Sequence, residues 1–96
     1  MAKALVSIQI IPKSANGLDV IALVDEAISI IDKAGIPYEV NSLETTMEGH
    51  LSELFPIITK MNERMVELGS LNVISQIKVL YQPEGITLNT LTEKYR

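Results

Sequence analysis

Acidic and hydroxyl side chains interrupt what otherwise reads as a pair of β-strands between residues 38 and 50. Glu44, Thr46 and Glu48 alternate along this stretch, at positions where a core strand would carry apolar side chains. Hydroxyls and a carboxylate can accept hydrogen bonds from an amine or an amidine-like ring, and Gly49 allows close approach of the backbone. The same pattern is typical of a β-branched strand that ends in a turn and a helix cap, because threonine favours strands. The stretch is therefore either a ligand site or an ordinary strand end.

Uncharged polar side chains on two other predicted strands favour the ligand hypothesis. Ser7 and Gln9 share one face of the first strand, and Gln76 lies on the last strand. Strands one, three and four are neighbours in the fold predicted below, so these side chains converge with Thr46 on one face. Convergent uncharged polar groups orient a ligand more often than they perform chemistry. The candidate ligand-binding residues are Ser7, Gln9, Asn41, Thr45, Thr46, Glu48 and Gln76.

Catalysis and metal binding have little support in the sequence. The chain has no cysteine, which excludes thiolate nucleophiles, thiolate metal ligands and disulfides. Glu44, Glu48 and His50 share one strand parity, but at about 3.3 Å per residue they spread over roughly 20 Å, too far for one ion. His50 is the only histidine and has no identifiable catalytic partner. We therefore expect no catalytic residue, no metal site and no cofactor, with His50 in a turn or at the start of a helix.

Hydrophobic periodicity predicts the element order strand, helix, strand, strand, helix, strand. The first helix follows Asp19 as its N-cap, and the second has Ser52 as its candidate N-cap. Pro12 is expected to end the first strand. The predicted strands span residues 4–11, 38–42, 43–49 and 72–81, a turn occupies 14–17, and a short helix is predicted in the C-terminal segment through Leu88, Leu91 and Tyr95.

Two strand-helix-strand units predict a ferredoxin-like α+β sandwich. We expect a single domain over residues 1–96, in which a four-stranded antiparallel sheet of order 4-1-3-2 carries both helices on one face. The other face is left open and mixes aliphatic with uncharged polar side chains. Such a face is too apolar to be left bare, so it is expected to bind a ligand or a second copy of the chain.

The charge balance and length limit the partners. Eight Lys and Arg face twelve Asp and Glu among 96 residues, giving a net charge of -4 with no basic run. Nucleic acid and anionic membranes are therefore poor partners. The longest apolar stretch, residues 18–31, contains three acidic residues and is too short to cross a bilayer, which takes about 20 residues. The N-terminus begins with a strand-like run and shows no signal-peptide pattern, so we expect a cytoplasmic protein. Short chains are often stabilised by association, so we also expect a homo-oligomer.

Several stretches resemble the small thiamine-binding proteins, a family of ferredoxin-like chains. The resemblance lies in residues 6–10, 35–40, 44–49 and 77–79, with a similar C-terminus at 87–88 and 94–96. It implies dimers or tetramers of identical chains and binding of thiamine, or of its hydroxymethylpyrimidine-like portion, without known catalysis, as a carrier or buffer. Glu48 would then face the thiazolium cation, and the ring would be held by Ser7, Gln9, Thr46 and Gln76. The alternative is a structural or regulatory module whose open face exists only to oligomerise.

Overall fold

The predicted order of elements is confirmed by a computed structural model, which describes residues 2–13, 17 and 19–95. The sheet order is β2-β3-β1-β4, and every neighbouring pair of strands is antiparallel. This is the predicted order read from the opposite edge, so the ferredoxin-like fold is confirmed. The elements are β1 (Ala4–Lys13), α1 (Val20–Lys33), β2 (Tyr38–Val40), β3 (Thr45–Gly49), α2 (Leu51–Glu67), β4 (Asn72–Tyr81) and a 3-10 helix, Glu93–Tyr95.

Both helices pack on the same face of the sheet, because each presents an apolar stripe with helical period. The even-numbered residues of β1 point into this layer, as the alternation of a strand requires. The odd-numbered residues of β1 point to the other face, which neither helix covers. The buried cluster between helices and sheet consists of Ala4, Val6, Ile8, Leu23, Ala27, Ile31, Met47, Leu54, Ile57, Ile58, Met61 and Met65.

The helix starts differ from the sequence prediction in one case. Asp19 caps α1 as predicted, and its side chain accepts a hydrogen bond from the Ile21 N–H at 2.9 Å. The prediction that Ser52 caps α2 is wrong, because His50 is the N-cap residue. Glu53 Oε1 accepts from the His50 N–H at 3.1 Å, and the Glu53 N–H donates back to the His50 carbonyl, so the N-cap lies two residues before Ser52. The expectation that His50 starts a helix is confirmed.

Pro12 does not end β1, and that prediction is wrong. The Gln82 N–H donates to the Lys3 carbonyl at 2.7 Å, which makes the odd-numbered residues of β1 the ones that hydrogen-bond to β4. The backbone of Pro12 therefore points away from β4. On that side β3 pairs with β1 only as far as Ile8 and Thr45. A missing N–H at Pro12 costs no hydrogen bond of the sheet, and the strand continues to Lys13.

The central hairpin is shorter than predicted, since β2 ends at Val40 and β3 begins at Thr45. The Asn41 N–H donates to the Glu44 carbonyl at 2.9 Å, and residues 42–43 bend between them. We refer to residues 41–44 as the hairpin loop. The predicted C-terminal helix is wrong except for Glu93–Tyr95, because residues 88–92 form hydrogen-bonded turns. The predicted turn at 14–17 lies outside the described residues except for Gly17.

Candidate functional site

Polar side chains form two cross-strand rows in the middle of the open face. In the first row, the strand register places Thr46 between Glu39 on β2 and Ser7 on β1, and Ser7 pairs in turn with Lys78 on β4. In the second row, Gln9 pairs with Gln76, and the same register continued past Thr45 brings Glu44 beside Gln9. We call these two rows, formed by Glu39, Thr46, Ser7, Lys78, Glu44, Gln9 and Gln76, the polar band.

Apolar pairs border the polar band at both ends of the strands. Leu5 pairs with Leu80 on one side of the band, and Ile11 pairs with Ile74 on the other. Leu5 is buried, whereas Ile11, Ile74 and Leu80 are exposed. The open face is thus an apolar surface with polar groups at its centre, which is the composition expected of a small-molecule site or of an interface with a polar centre.

An ion pair crosses β1 within the polar band. Lys78 Nζ lies 3.3 Å from Glu44 Oε1, and the Glu44 side chain is 32% exposed against 75% for Lys78. The pKa of Glu44 lies below its ordinary value, first because of the nearby Ser7 hydroxyl and then because of Lys78, while partial desolvation acts in the opposite direction. Glu44 is therefore a carboxylate at neutral pH.

The hydroxyl of Ser7 lies in the row of the polar band next to that of Glu44. Its oxygen is buried and has no hydrogen-bond partner in the described chain, although it is close enough to lower the pKa of Glu44. A buried hydroxyl without a partner is uncommon in folded proteins and costs free energy. Ser7 therefore has an unused donor and acceptor one row away from Glu44 in the polar band.

Two cavities flank the hairpin loop, one on each side of the sheet. The open-face cavity, of about 290 Å³, is lined by Gln9, Leu43, Glu44, Gln76 and Lys78. The helix-side cavity, of about 280 Å³, shares Gln9, Leu43 and Glu44 with it. We call the two cavities together the loop-end site. The remaining residues that line the helix-side cavity are Ile8, Ile10, Val24, Ile28, Val40, Asn41, Ser42, Thr45 and Met61.

Unequal strand lengths create the helix-side cavity. β1 has ten residues, whereas β3 has five and β2 has three, so the sheet beneath the first turns of α1 consists of β1 and β4 alone. Val24 and Ile28 on α1 are only partly buried there. Leu43, which is 76% exposed, projects from the hairpin loop and lines both cavities. The residues that the two cavities share, Gln9, Leu43 and Glu44, lie at and just beyond the end of β3.

The structure brings most of the predicted ligand residues to this end of the sheet. Gln9 and Gln76 line the open-face cavity, and Gln9, Asn41 and Thr45 line the helix-side cavity. Thr45 lies on the helix-facing side, since it pairs with Ile8 of the core, and it is therefore across the sheet from Thr46. Ser7 and Thr46 form the neighbouring row of the polar band.

Glu48 lies away from the loop-end site. It is four residues from Glu44 along the chain, about 13 Å at the usual strand rise. Its Oε1 accepts a hydrogen bond from the Leu88 N–H at 2.8 Å. The same C-terminal segment is held beside β1 by Ile86 N–H donating to the Ala2 carbonyl at 2.9 Å, and the Ile86 side chain is buried outside the helix-side cluster. The Glu48 carboxylate therefore anchors the chain's own C-terminal segment against the sheet.

Sequence reasoning left Glu44 and Lys78 out of the candidate set, together with the apolar residues that line the helix-side cavity. Glu44 and Glu48 have the same strand parity and carry the same group, so alternation alone cannot separate them. The register could have done so, because it places Glu44 opposite Gln9 and Glu48 opposite Leu5. Val24 and Ile28 carry the same periodic signal as the core residues of α1 and cannot be told from them by sequence.

Comparison with known proteins gives the family. Residues 6–96 match the family model described as thiamine-binding protein. The chain belongs to the thiamine-binding protein family. A Clostridium perfringens member of the group designated UPF0045 is 38% identical over 91 residues, covering 95% of each chain. The family description supports a thiamine-related role.

Solved structures agree with the assignment to the thiamine-binding protein family. A Bacillus cereus domain designated DUF77, of unknown function, superposes with a TM-score of 0.92 at 33% identity, covering 99% of this chain and 91% of that one. A Thermotoga maritima protein whose name refers to thiamine biosynthesis or salvage gives a TM-score of 0.88 at 29% identity, covering 98% of this chain and 99% of that one.

Within residues 2–13, 17 and 19–95, neither helix is long and apolar enough to cross a membrane. No group of three or more His, Cys, Asp or Glu side chains in that part of the chain is placed to hold a metal ion.

Proposed function

We propose that this member of the thiamine-binding protein family binds thiamine, or its aminopyrimidine portion, at the loop-end site without transforming it. The observation that carries the proposal is that two cavities share Gln9 and Glu44 in their linings, one row from the unpartnered hydroxyl of Ser7. Each cavity is close to the lower limit of small-molecule sites, about 300 Å³, so together they offer room for a ligand of two rings.

The groups at the loop-end site suit the two halves of thiamine. An aminopyrimidine needs acceptors for its amine and donors for its ring nitrogens, and the amides of Gln9 and Asn41, which line the helix-side cavity, provide both. A thiazolium cation is stabilised by a carboxylate in a partly desolvated position, which Glu44 provides. In this proposal Glu44 takes the role that the sequence analysis gave to Glu48, because Glu44 lines both cavities and Glu48 lines neither.

Binding without catalysis follows from the distribution of reactive groups. His50 is the only histidine of the chain and lies at the start of α2, at the far end of β3 from Glu44. Ser7 therefore has a carboxylate nearby but no imidazole to accept its proton, and the chain has no cysteine. A carrier or buffer of the vitamin in the cytoplasm is the role that we assign to such a protein.

Self-association through β4 is the second part of the proposal. This ten-residue strand forms one edge of the sheet and carries exposed apolar side chains on both faces, with Ile74 and Leu80 on the open face and Ile77, Val79 and Tyr81 on the other. An edge of this kind pairs readily with another strand, and a second copy would supply an identical one. If the chain only self-associates and binds no thiamine, the structural-module alternative is the correct function.

Calorimetric titration of a charge variant tests the ligand proposal. Glu44→Gln keeps the size of the side chain but removes its charge, so it should weaken thiamine more than an uncharged aminopyrimidine such as 4-amino-5-hydroxymethyl-2-methylpyrimidine. The matched control is Glu63→Gln, on the exposed side of α2, which should change neither affinity. Equal losses for the two ligands would contradict the role of the Glu44 charge, and the absence of binding to the unmutated protein would contradict the proposal itself.

A further inference from the structure

The backbone of Ile10 carries hydrogen-bonding groups that no strand of the described chain uses. The alternation set by the Gln82–Lys3 hydrogen bond directs the N–H and C=O of even-numbered β1 residues away from β4. Within the paired region these groups bond to β3, and the last such pair is Ile8 with Thr45. Ile10 is the next even-numbered residue, and its backbone faces the space that β3 leaves open.

The hairpin loop does not fill that space. Continuing the register would place Leu43 opposite Ile10, but the chain bends at 42–43, and the Asn41 N–H closes the loop on the Glu44 carbonyl instead. No hydrogen bond joins the Ile10 and Leu43 backbones within the described residues. One further position along, Pro12 has no N–H at all. Ile10 is therefore the one residue of β1 that offers both a donor and an acceptor on this side.

The free backbone edge lies at a cavity of suitable shape. Ile10 lines the helix-side cavity, whose opposite wall includes Val24 and Ile28 on α1. A backbone N–H and C=O of one residue, pointing the same way, match a heterocycle edge in which an acceptor nitrogen adjoins an amino donor. Extended peptides recognise sheet edges through the same pair of groups. A 4-aminopyrimidine has such an edge, and its ring faces are apolar enough to contact aliphatic side chains.

We propose that the Ile10 backbone is the recognition edge for the aminopyrimidine ring, with the ring held in the helix-side cavity between β1 and α1. The exocyclic amine donates to the Ile10 carbonyl, and the adjacent ring nitrogen accepts from the Ile10 N–H. The inference rests on the proposed function and adds to it the orientation of the ligand. The charged ring then lies toward Glu44, which lines both cavities.

Amide hydrogen exchange measured by NMR tests the recognition edge without mutation. In the free protein the Ile10 amide should exchange faster than that of Ile8, which is bonded to β3. Thiamine at about 100 times its Kd should slow the Ile10 amide by up to about 100-fold, because exchange then requires release of the ligand. The uncharged aminopyrimidine should give the same protection at an equal multiple of its own Kd.

Two substitutions provide the affinity test. Ile10→Pro removes the N–H without removing a bond to β4, as Pro12 already does in the native strand, and should weaken both ligands by roughly 5- to 150-fold. Ile10→Val keeps the N–H and only trims the side chain, so Ile10→Pro should lose several-fold more affinity than Ile10→Val. If Ile10→Pro does not fold, the exchange measurement decides alone.

The possible failures are distinguishable. Thiamine binding with unchanged exchange at Ile10, or with equal affinities for Ile10→Pro and Ile10→Val, would overturn the recognition edge and leave the proposed function standing. No binding of either ligand to the unmutated protein would overturn both.

Discussion

Replacing Ser7 by alanine should stabilise the protein and weaken its ligand binding at the same time. The Ser7 side chain is 9% exposed, and its hydroxyl has no hydrogen-bond partner within the described chain. Such an unpaired buried hydroxyl costs about 1–3 kcal/mol. Ser7 retains an interaction with Glu44, so we expect the lower end, a gain in unfolding free energy of about 1 kcal/mol. For a domain of this size that gain raises Tm by roughly 4–8 °C.

The chain contains a matched control for this prediction. Ser70 is also buried, at 4% exposed, and its hydroxyl also lacks a partner, but it follows the C-terminal end of α2 and lies outside the polar band. Ser70→Ala should therefore stabilise at least as much as Ser7→Ala and leave thiamine affinity unchanged. Ser7→Ala should weaken thiamine by about 2- to 13-fold, the loss of one neutral hydrogen bond. Thermal unfolding and calorimetric titration measure the two effects, and a loss of stability in Ser7→Ala without loss of affinity would refute the reasoning.

Two further predictions concern the ion pair and the exposed edge. Lys78→Met should raise the pKa of Glu44, measured by NMR titration of its carboxyl carbon, because Lys78 helps to lower that pKa. Because the pKa of Glu44 is lower in the folded state, its ionisation stabilises the fold above pH 4.5, and this stabilisation is lost as the pH falls through the folded-state pKa. The stability difference that Lys78→Met creates through Glu44 should therefore vanish as the pH falls through that range. A difference that persists in full at lower pH would contradict the assignment. Ile74→Lys with Leu80→Lys should shift the mass found by light scattering toward the 10.6 kDa of one chain, and a monomeric unmutated protein at micromolar concentration would remove the self-association proposal.

The fold could be predicted because its signals are local. The alternation of Val6 and Ile8 with Ser7 and Gln9 assigns each side chain of β1 to a face, and the structure follows that assignment. The apolar period of α2 and the caps then leave few ways to cover one face of the sheet. Pro12 misled the prediction because its effect depends on the side of the strand that has a neighbour, which is a property of the assembled sheet.

The candidate site could be predicted only in part, because its decisive features join residues distant in sequence. The Glu48 carboxylate accepts a hydrogen bond from the Leu88 N–H, for example, and the two residues are 40 positions apart. The helix-side cavity arises where β3 stops short of the end of β1, a consequence of the bend at 42–43. No pattern within a single element carries either fact, whereas the face shared by Gln9 and Gln76 followed from alternation and strand order.

Mapping thiamine on the protein by amide NMR tests the central claim most directly. We predict saturable chemical-shift changes that are largest around Gln9, the hairpin loop of residues 41–44 and Gln76, with little change around Glu48 and Leu88. Changes centred on Glu48 and the C-terminal segment, or no saturable change at millimolar thiamine, would contradict binding at the loop-end site.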